Sequence, residues 1–155
     1  MVLVCARLNI PHRYDHVADS TLTEGVRAGF RGARALQAGQ TTDAISAFKK
    51  SLDWFARFGG YPGSSAEGLS LAWEQAGDLH KAVEPLEQTS SVRIWHPTDY
   101  GVGWLRNQAR LAGLYRRLGH NQEASKIEDE LGKLMAVADP DHAIVRQLRK
   151  SEPLH

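Results

Sequence analysis

The sequence predicts an all-α fold: an α-α superhelix, or solenoid, of about three helix-turn-helix units closed by a C-terminal capping helix. Two observations carry this. One spacing occurs three times along the chain, a residue four positions before a glycine and an alanine five positions after it: Ala35-Gly39-Ala44, Trp73-Gly77-Ala82 and Tyr115-Gly119-Ala124. A repeat of this kind marks stacked supersecondary units rather than one globular core. In addition, no segment sustains the apolar/polar alternation of a half-buried strand. A chain of 155 residues, 42% hydrophobic and 24% charged, is long enough for one such array.

The pattern places a domain over residues 21–155, with repeats at about 25–60, 63–97 and 99–138 and a capping helix at about 140–150. Residues 1–20 form an extension with no predicted element. Its Val2, Leu3, Val4, Leu8 and Ile10 leave three readings open: packing on the first repeat, pairing with another chain, or the cut edge of a longer protein. The first helix, near 21–38, starts at Thr21 with Glu24 at capping-box spacing. It ends before Gly39, where a left-handed backbone favours glycine. The second, near 42–57, carries Ile45, Phe48 and Leu52 at the spacing of a buried stripe, and Ala44 permits close approach. Gly59-Gly60-Tyr61-Pro62-Gly63 is a repeat junction.

The third helix, near 64–76, repeats the capping-box spacing at Ser64 and Glu67 and places Trp73 in the core. After Gly77-Asp78 a fourth, near 78–93, buries Ala82, Val83 and Leu86. His96-Pro97-Thr98 separates the next pair. The fifth, near 99–118, aligns Trp104, Leu111, Tyr115 and Leu118, and Gly119-His120-Asn121 turns into a sixth near 121–137 with Ala124, Ile127, Leu131 and Leu134 inward. Each of the three turns supplies an N-cap. Asp139 and Pro140 suit the N-cap and first position of the last helix, with Ile144, Val145 and Leu148 on one side and Arg146, Arg149 and Lys150 elsewhere.

This combination of a large residue, a turn glycine, a buried alanine and a following apolar residue resembles the tetratricopeptide repeat (TPR) over about residues 25–150, most strongly from Leu111 to Ala124. The glycines lie 38 and 42 residues apart, longer than the family's usual period of about 34 and similar to the long-repeat variety of kinesin light chains. Pro140-Asp141-His142-Ala143-Ile144-Val145 resembles that variety's Asp-His-Pro-like junction, with Ala143 in place of proline. Arg31 and Ala35 depart from the family pattern in the first copy, as Glu128 does in the third. The resemblance implies a non-catalytic scaffold whose first helices line a concave groove that binds a peptide or a partner domain.

Few residue constellations in the chain point to chemistry. His12 and His16 are four apart, but no further ligand is near in sequence, so a surface or packing role is expected rather than zinc. His142 is expected to order its junction. The Gly59–Gly63 stretch lacks the lysine and Ser/Thr of a phosphate loop, and no strand precedes it. Cys5 is a lone thiol with no histidine marked as its partner. Glu128-Asp129-Glu130 reads as a solvated helix face. No enzyme, metal or cofactor is expected; a metal-dependent enzyme stays open on the histidine count alone. A formal charge of +1 is no footprint for nucleic acid or anionic lipid. No apolar run approaches a membrane span or a secretory signal, so a cytoplasmic location is expected. Trp54 and Trp95, near the ends of second helices, leave packing and partner contact both open.

The candidate partner-binding residues lie on first helices. Arg106, Arg110, Gly113 and Arg117 fall at i, i+4, i+7 and i+11, offset about 100° from the Leu111-Tyr115-Leu118 stripe. Three guanidiniums beside a small residue suit bidentate capture of carboxylate or phosphate. Glu67, Leu71 and Glu74 occupy the matching face of the third helix. One acidic and one basic wall would favour a partner of mixed charge; ordinary solvated faces that neutralise one another are the competing reading. The family's two-carboxylate clamp is not reproduced, because its asparagine position corresponds to Ala33, Leu71 and Gly113. A second functional reading also stands open: a self-association or regulatory segment of a larger bacterial signalling protein, such as a kinase or transcription regulator.

Overall fold

A computed structural model describes residues 23–60, 62–91, 100–136, 138–142 and 144–146. Every regular element among them is helical: α1 (Glu24–Gln37), α2 (Thr41–Phe58), α3 (Gly63–Gln75), α4 (Leu79–Ser90), α5 (Tyr100–Leu118) and α6 (Asn121–Leu134). The chain divides into two compact units, Met1–Pro85 and Leu86–His155. The boundary falls inside α4 at Pro85, a residue without the N–H that a helix interior uses. Among the described residues no helix is long and apolar enough to cross a membrane.

The three glycine turns share one backbone geometry. Gly39, Gly77 and Gly119 have φ of 73°, 82° and 80°. Their N–H groups donate to the carbonyls of Leu36, Glu74 and Arg116, and the next residue's N–H donates to Ala35, Trp73 and Tyr115, at 2.9–3.2 Å throughout. This is the paired bonding of a Schellman motif, which satisfies carbonyls that a helix end would otherwise leave open. Ala44, Ala82 and Ala124 are fully buried, and each donates its N–H to the turn residue four before it. Only the Asp78 turn has a side-chain cap, its carboxylate accepting from the Lys81 N–H at 3.0 Å. Gln40 and His120, at the other two N-caps, make none.

In the first unit α2 packs against both α1 and α3, and α1 also touches α3. Phe48 is the centre, buried with Ala33, Ala44, Leu69 and Ala72 and flanked by Ile45, Leu52, Leu71 and Trp73. Glycines admit it. A Cβ at Gly32 would lie 2.8 Å from the Phe48 ring, and one at Gly68 would strike the ring as well. Gly25 leaves the same kind of room for Trp54. Deeper in the interface, the buried Ser51 hydroxyl bonds the Gly25 carbonyl at 2.7 Å and the Ser65 hydroxyl at 2.8 Å, tying all three helices.

In the second unit α5 packs on α6. Ala109, Leu131 and Ile144 form the buried cluster, with Trp104, Leu105, Ile127 and Met135 against it. Ile144 is buried against residues of both α5 and α6.

Four expectations need correction. Ser64 does not cap α3: the helix starts one residue earlier, behind Pro62, with no side-chain cap, and Glu67 is drawn into the interior instead of reaching back. Asp139 and Pro140 open a turn rather than a helix. The Asp139 carboxylate accepts from the Asp141 N–H at 2.8 Å and its carbonyl from His142 at 2.9 Å. His142 is the cap, its Nδ1 accepting from Ile144 N–H at 3.3 Å and its carbonyl from Arg146. Leu134 is 55% exposed because α6 ends there, three residues short of the expected 137. Nor does Thr21 cap α1: the helix starts at Glu24 behind Thr23, which makes no side-chain cap. Cys5, His12, His16, Trp95 and Leu148 lie outside the described residues.

Candidate interaction surface

α5 is a 19-residue helix held on two sides within the second unit. The Trp104 indole N–H donates to the Ser90 carbonyl at 3.0 Å, and the Tyr115 hydroxyl donates to Glu87, both across to the last turns of α4. Burial, together with donation to the Glu87 carboxylate, raises the Tyr115 hydroxyl well above its ordinary pKa, so it stays a donor. Toward α6, Arg116 reaches Glu128 at 2.5 Å, Ser125 at 3.0 Å and Asn121 at 3.2 Å. Glu128, expected on a solvated face where the repeat pattern calls for an apolar residue, is largely buried by this pairing. Its neighbours Asp129 and Glu130 are exposed.

These anchors orient the candidate stripe. Arg106, Arg110 and Gly113 are half-buried and Arg117 is exposed. The three arginines each make an intramolecular interaction, so a partner would compete with those contacts rather than meet bare guanidiniums. On α3, Glu67 is 4% exposed. It and Glu74 are likewise engaged within the chain. Leu71 packs against the Phe48 cluster. Burial of Glu67 and packing of Leu71 leave α3 with less open surface than its sequence register suggests, because α3 is clasped by both α1 and α2.

Sequence reasoning missed two features near Trp73, whose indole is half-buried. The Lys49 and Lys81 ammonium groups lie 5.4 Å and 4.8 Å from its ring centroid, within cation–π range. Lys81 also pairs with Asp78 at 2.7 Å. That bond holds the Asp78 carboxyl below its ordinary range and raises the Lys81 ammonium. The i+3 spacing of Asp78 and Lys81 signals their pairing in the sequence; the approach of Lys49 from α2 has no local signal. No group of three or more metal-ligating side chains converges among the described residues.

No known protein-family model matches this chain, and no curated protein matches its sequence.

Proposed function

We propose that the protein is a non-catalytic, TPR-like scaffold that recognises a peptide or partner domain in the concave groove of its superhelix. The observation that supports this reading is the threefold turn. The same left-handed glycine, the same two backbone bonds and the same fully buried alanine occur at Gly39, Gly77 and Gly119. A unit repeated in this way buries itself against its neighbours and presents an extended surface rather than a single pocket, the arrangement that repeat proteins use for binding. Within the second unit Arg106, Arg110, Gly113 and Arg117 are the proposed basic contact residues, and within the first unit Leu71 and Glu74 are the proposed apolar and acidic ones. Glu67, being buried, supports α3 from within. The partner is a protein segment of mixed charge; nucleic acid and lipid are disfavoured by the chain's net charge of +1.

The test is capture of partners from the source cell by the full chain and by the R106A/R110A/R117A variant, with circular dichroism to confirm the fold. Loss of specific partners at unchanged helix content supports the site. An unchanged set of partners rejects it.

A further inference from the structure

The chain after α6 turns on a histidine that can serve as a cap in only one of its two charge states. Asp139 opens the turn, its carboxylate accepting from the Asp141 N–H at 2.8 Å and its carbonyl from the His142 N–H at 2.9 Å. His142 continues it: its Nδ1 accepts from the Ile144 N–H at 3.3 Å, and its carbonyl from the Arg146 N–H at 3.0 Å. Ile144 itself is 4% exposed, buried with Ala109 of α5 and Leu131 of α6, and Trp104, Leu105, Ile127 and Met135 pack against the three. An exposed imidazole thus holds the turn that delivers a buried side chain to the apolar cluster of the second unit.

To accept at Nδ1 an imidazole must be neutral, with its proton on Nε2. Histidine side chains ordinarily take up a second proton at about pH 6.5. That proton goes to Nδ1, so the Ile144 N–H then faces a donor and loses its acceptor. A cation also comes to stand at the start of a helical turn, where unpaired N–H groups already carry partial positive charge. Both effects have one sign: the cap is present at neutral pH and is lost as pH falls. The charged neighbours do not replace it. Asp139 and Asp141 on the same turn attract an imidazolium but give the Ile144 N–H no acceptor, and Arg146 only donates its N–H to the His142 carbonyl. Beside the packed residues in sequence stand Arg106 and Arg110 on α5 and Lys126, Glu128 and Glu130 on α6. None of these bonds or pairs with the imidazole.

We propose that His142 is an acid-sensitive latch on the second unit. Neutral, it caps the turn that seats Ile144 on α5 and α6; protonated, it frees that turn and uncovers the apolar face made by Ala109, Leu131 and the side chains around them. Loss of one hydrogen bond of this kind shifts a ratio of open to closed forms about fivefold. The latch therefore biases a local population and leaves the helix pair folded. It uses none of the α5 arginines and holds whether or not they bind a partner.

The test is amide hydrogen exchange by NMR on the full chain from about pH 7.5 to about pH 5.5, either side of the ordinary histidine value, with rates corrected for their intrinsic pH dependence. The Leu131 methyl shifts report on the apolar cluster. In the wild-type chain, protection of the Ile144 amide should fall about fivefold across this range, and the methyl shifts should follow the same curve. H142D keeps an acceptor for the N–H two residues on, as an Asx turn does, and stays ionised throughout, so it should hold Ile144 at its neutral-pH protection. H142A has no acceptor and should show the low protection at every pH. His142 is exposed, so both variants should keep their helix content, which circular dichroism checks. A flat wild-type profile, a transition that survives in H142D, or full protection in H142A would overturn the proposal. An equal fall at the Ala109 and Leu131 amides would place the effect of acid in the whole second unit and would overturn it as well.

Discussion

The hairpins α1–α2 and α5–α6 turn in the same way and are held together in different ways. Both reverse through a left-handed glycine with the same pair of backbone bonds, and both bury an alanine five residues later. Between α1 and α2 the helices interlock by subtraction: Gly25 and Gly32 on α1 and Gly68 on α3 make room for Trp54 and Phe48. Between α5 and α6 they are bridged by polar side chains, with Arg116 bonded to Asn121, Ser125 and Glu128. The turn is a local backbone device that any copy can reuse. The interface is a pairwise solution in which a large side chain must meet a gap or a charge must meet its opposite.

The largest test of this contrast is the removal of Phe48. Phe48→Ala should cost about 3–5 kcal/mol in urea unfolding, because the glycines around the ring leave nothing to fill the cavity. Next comes Gly68→Ala. Alanine favours helix over glycine by about 1 kcal/mol, yet its methyl would strike the Phe48 ring, and overpacking of that kind costs about 1–3 kcal/mol. A net loss of stability is expected. The double variant should lose less than the sum of the two, since removing the ring relieves the clash; strict additivity would break the claim that this glycine exists for Phe48.

The shared turn is probed by Gly39→Ala, Gly77→Ala and Gly119→Ala. Nothing lies within 4 Å of a Cβ at any of the three, so each should cost about 1 kcal/mol from the left-handed backbone alone. Clearly unequal losses by chemical denaturation would show that the three turns are not equivalent. In the second unit, Glu128→Ala should lower the melting temperature by less than Phe48→Ala does, since the partly exposed Arg116 regains water when its partner is removed. The smallest effect is expected at the Asp78 cap. Its carboxyl is held below the ordinary range by the Lys81 bonds, so its contribution is complete above the ordinary carboxylate pKa of about 4 and is lost as pH falls through the depressed value. Asp78→Asn should therefore flatten the acid limb of a stability–pH profile and leave its slope near neutrality unchanged.

Much of the architecture was legible because it is local. The glycine spacing, the alanine positions and the 3–4 stripes of Phe48, Leu86 and Leu131 depend only on chain geometry, and their residues are buried as expected. Element ends were less legible where two local signals competed. Ser64 and Glu67 have capping-box spacing, but packing took Glu67 inside; Asp139 and Pro140 look like a helix start, but His142 makes the cap. The α5 stripe was placed correctly on one helix, while the intramolecular contacts of its arginines were invisible, because their partners come from tertiary packing.

The sequence by itself determined that every regular element among the described residues is helical, with three turns of one geometry, since left-handed glycine, helix periodicity and small-residue spacing act over a few neighbouring residues. Only the tertiary structure decided which glycines receive an aromatic ring, that Glu128 answers Arg116, that Ser51 and Ser65 share a buried hydrogen bond, and that Phe58 stays in solvent on a Trp54 base. Those outcomes join residues from different helices, and their energies depend on distances that no local spacing specifies.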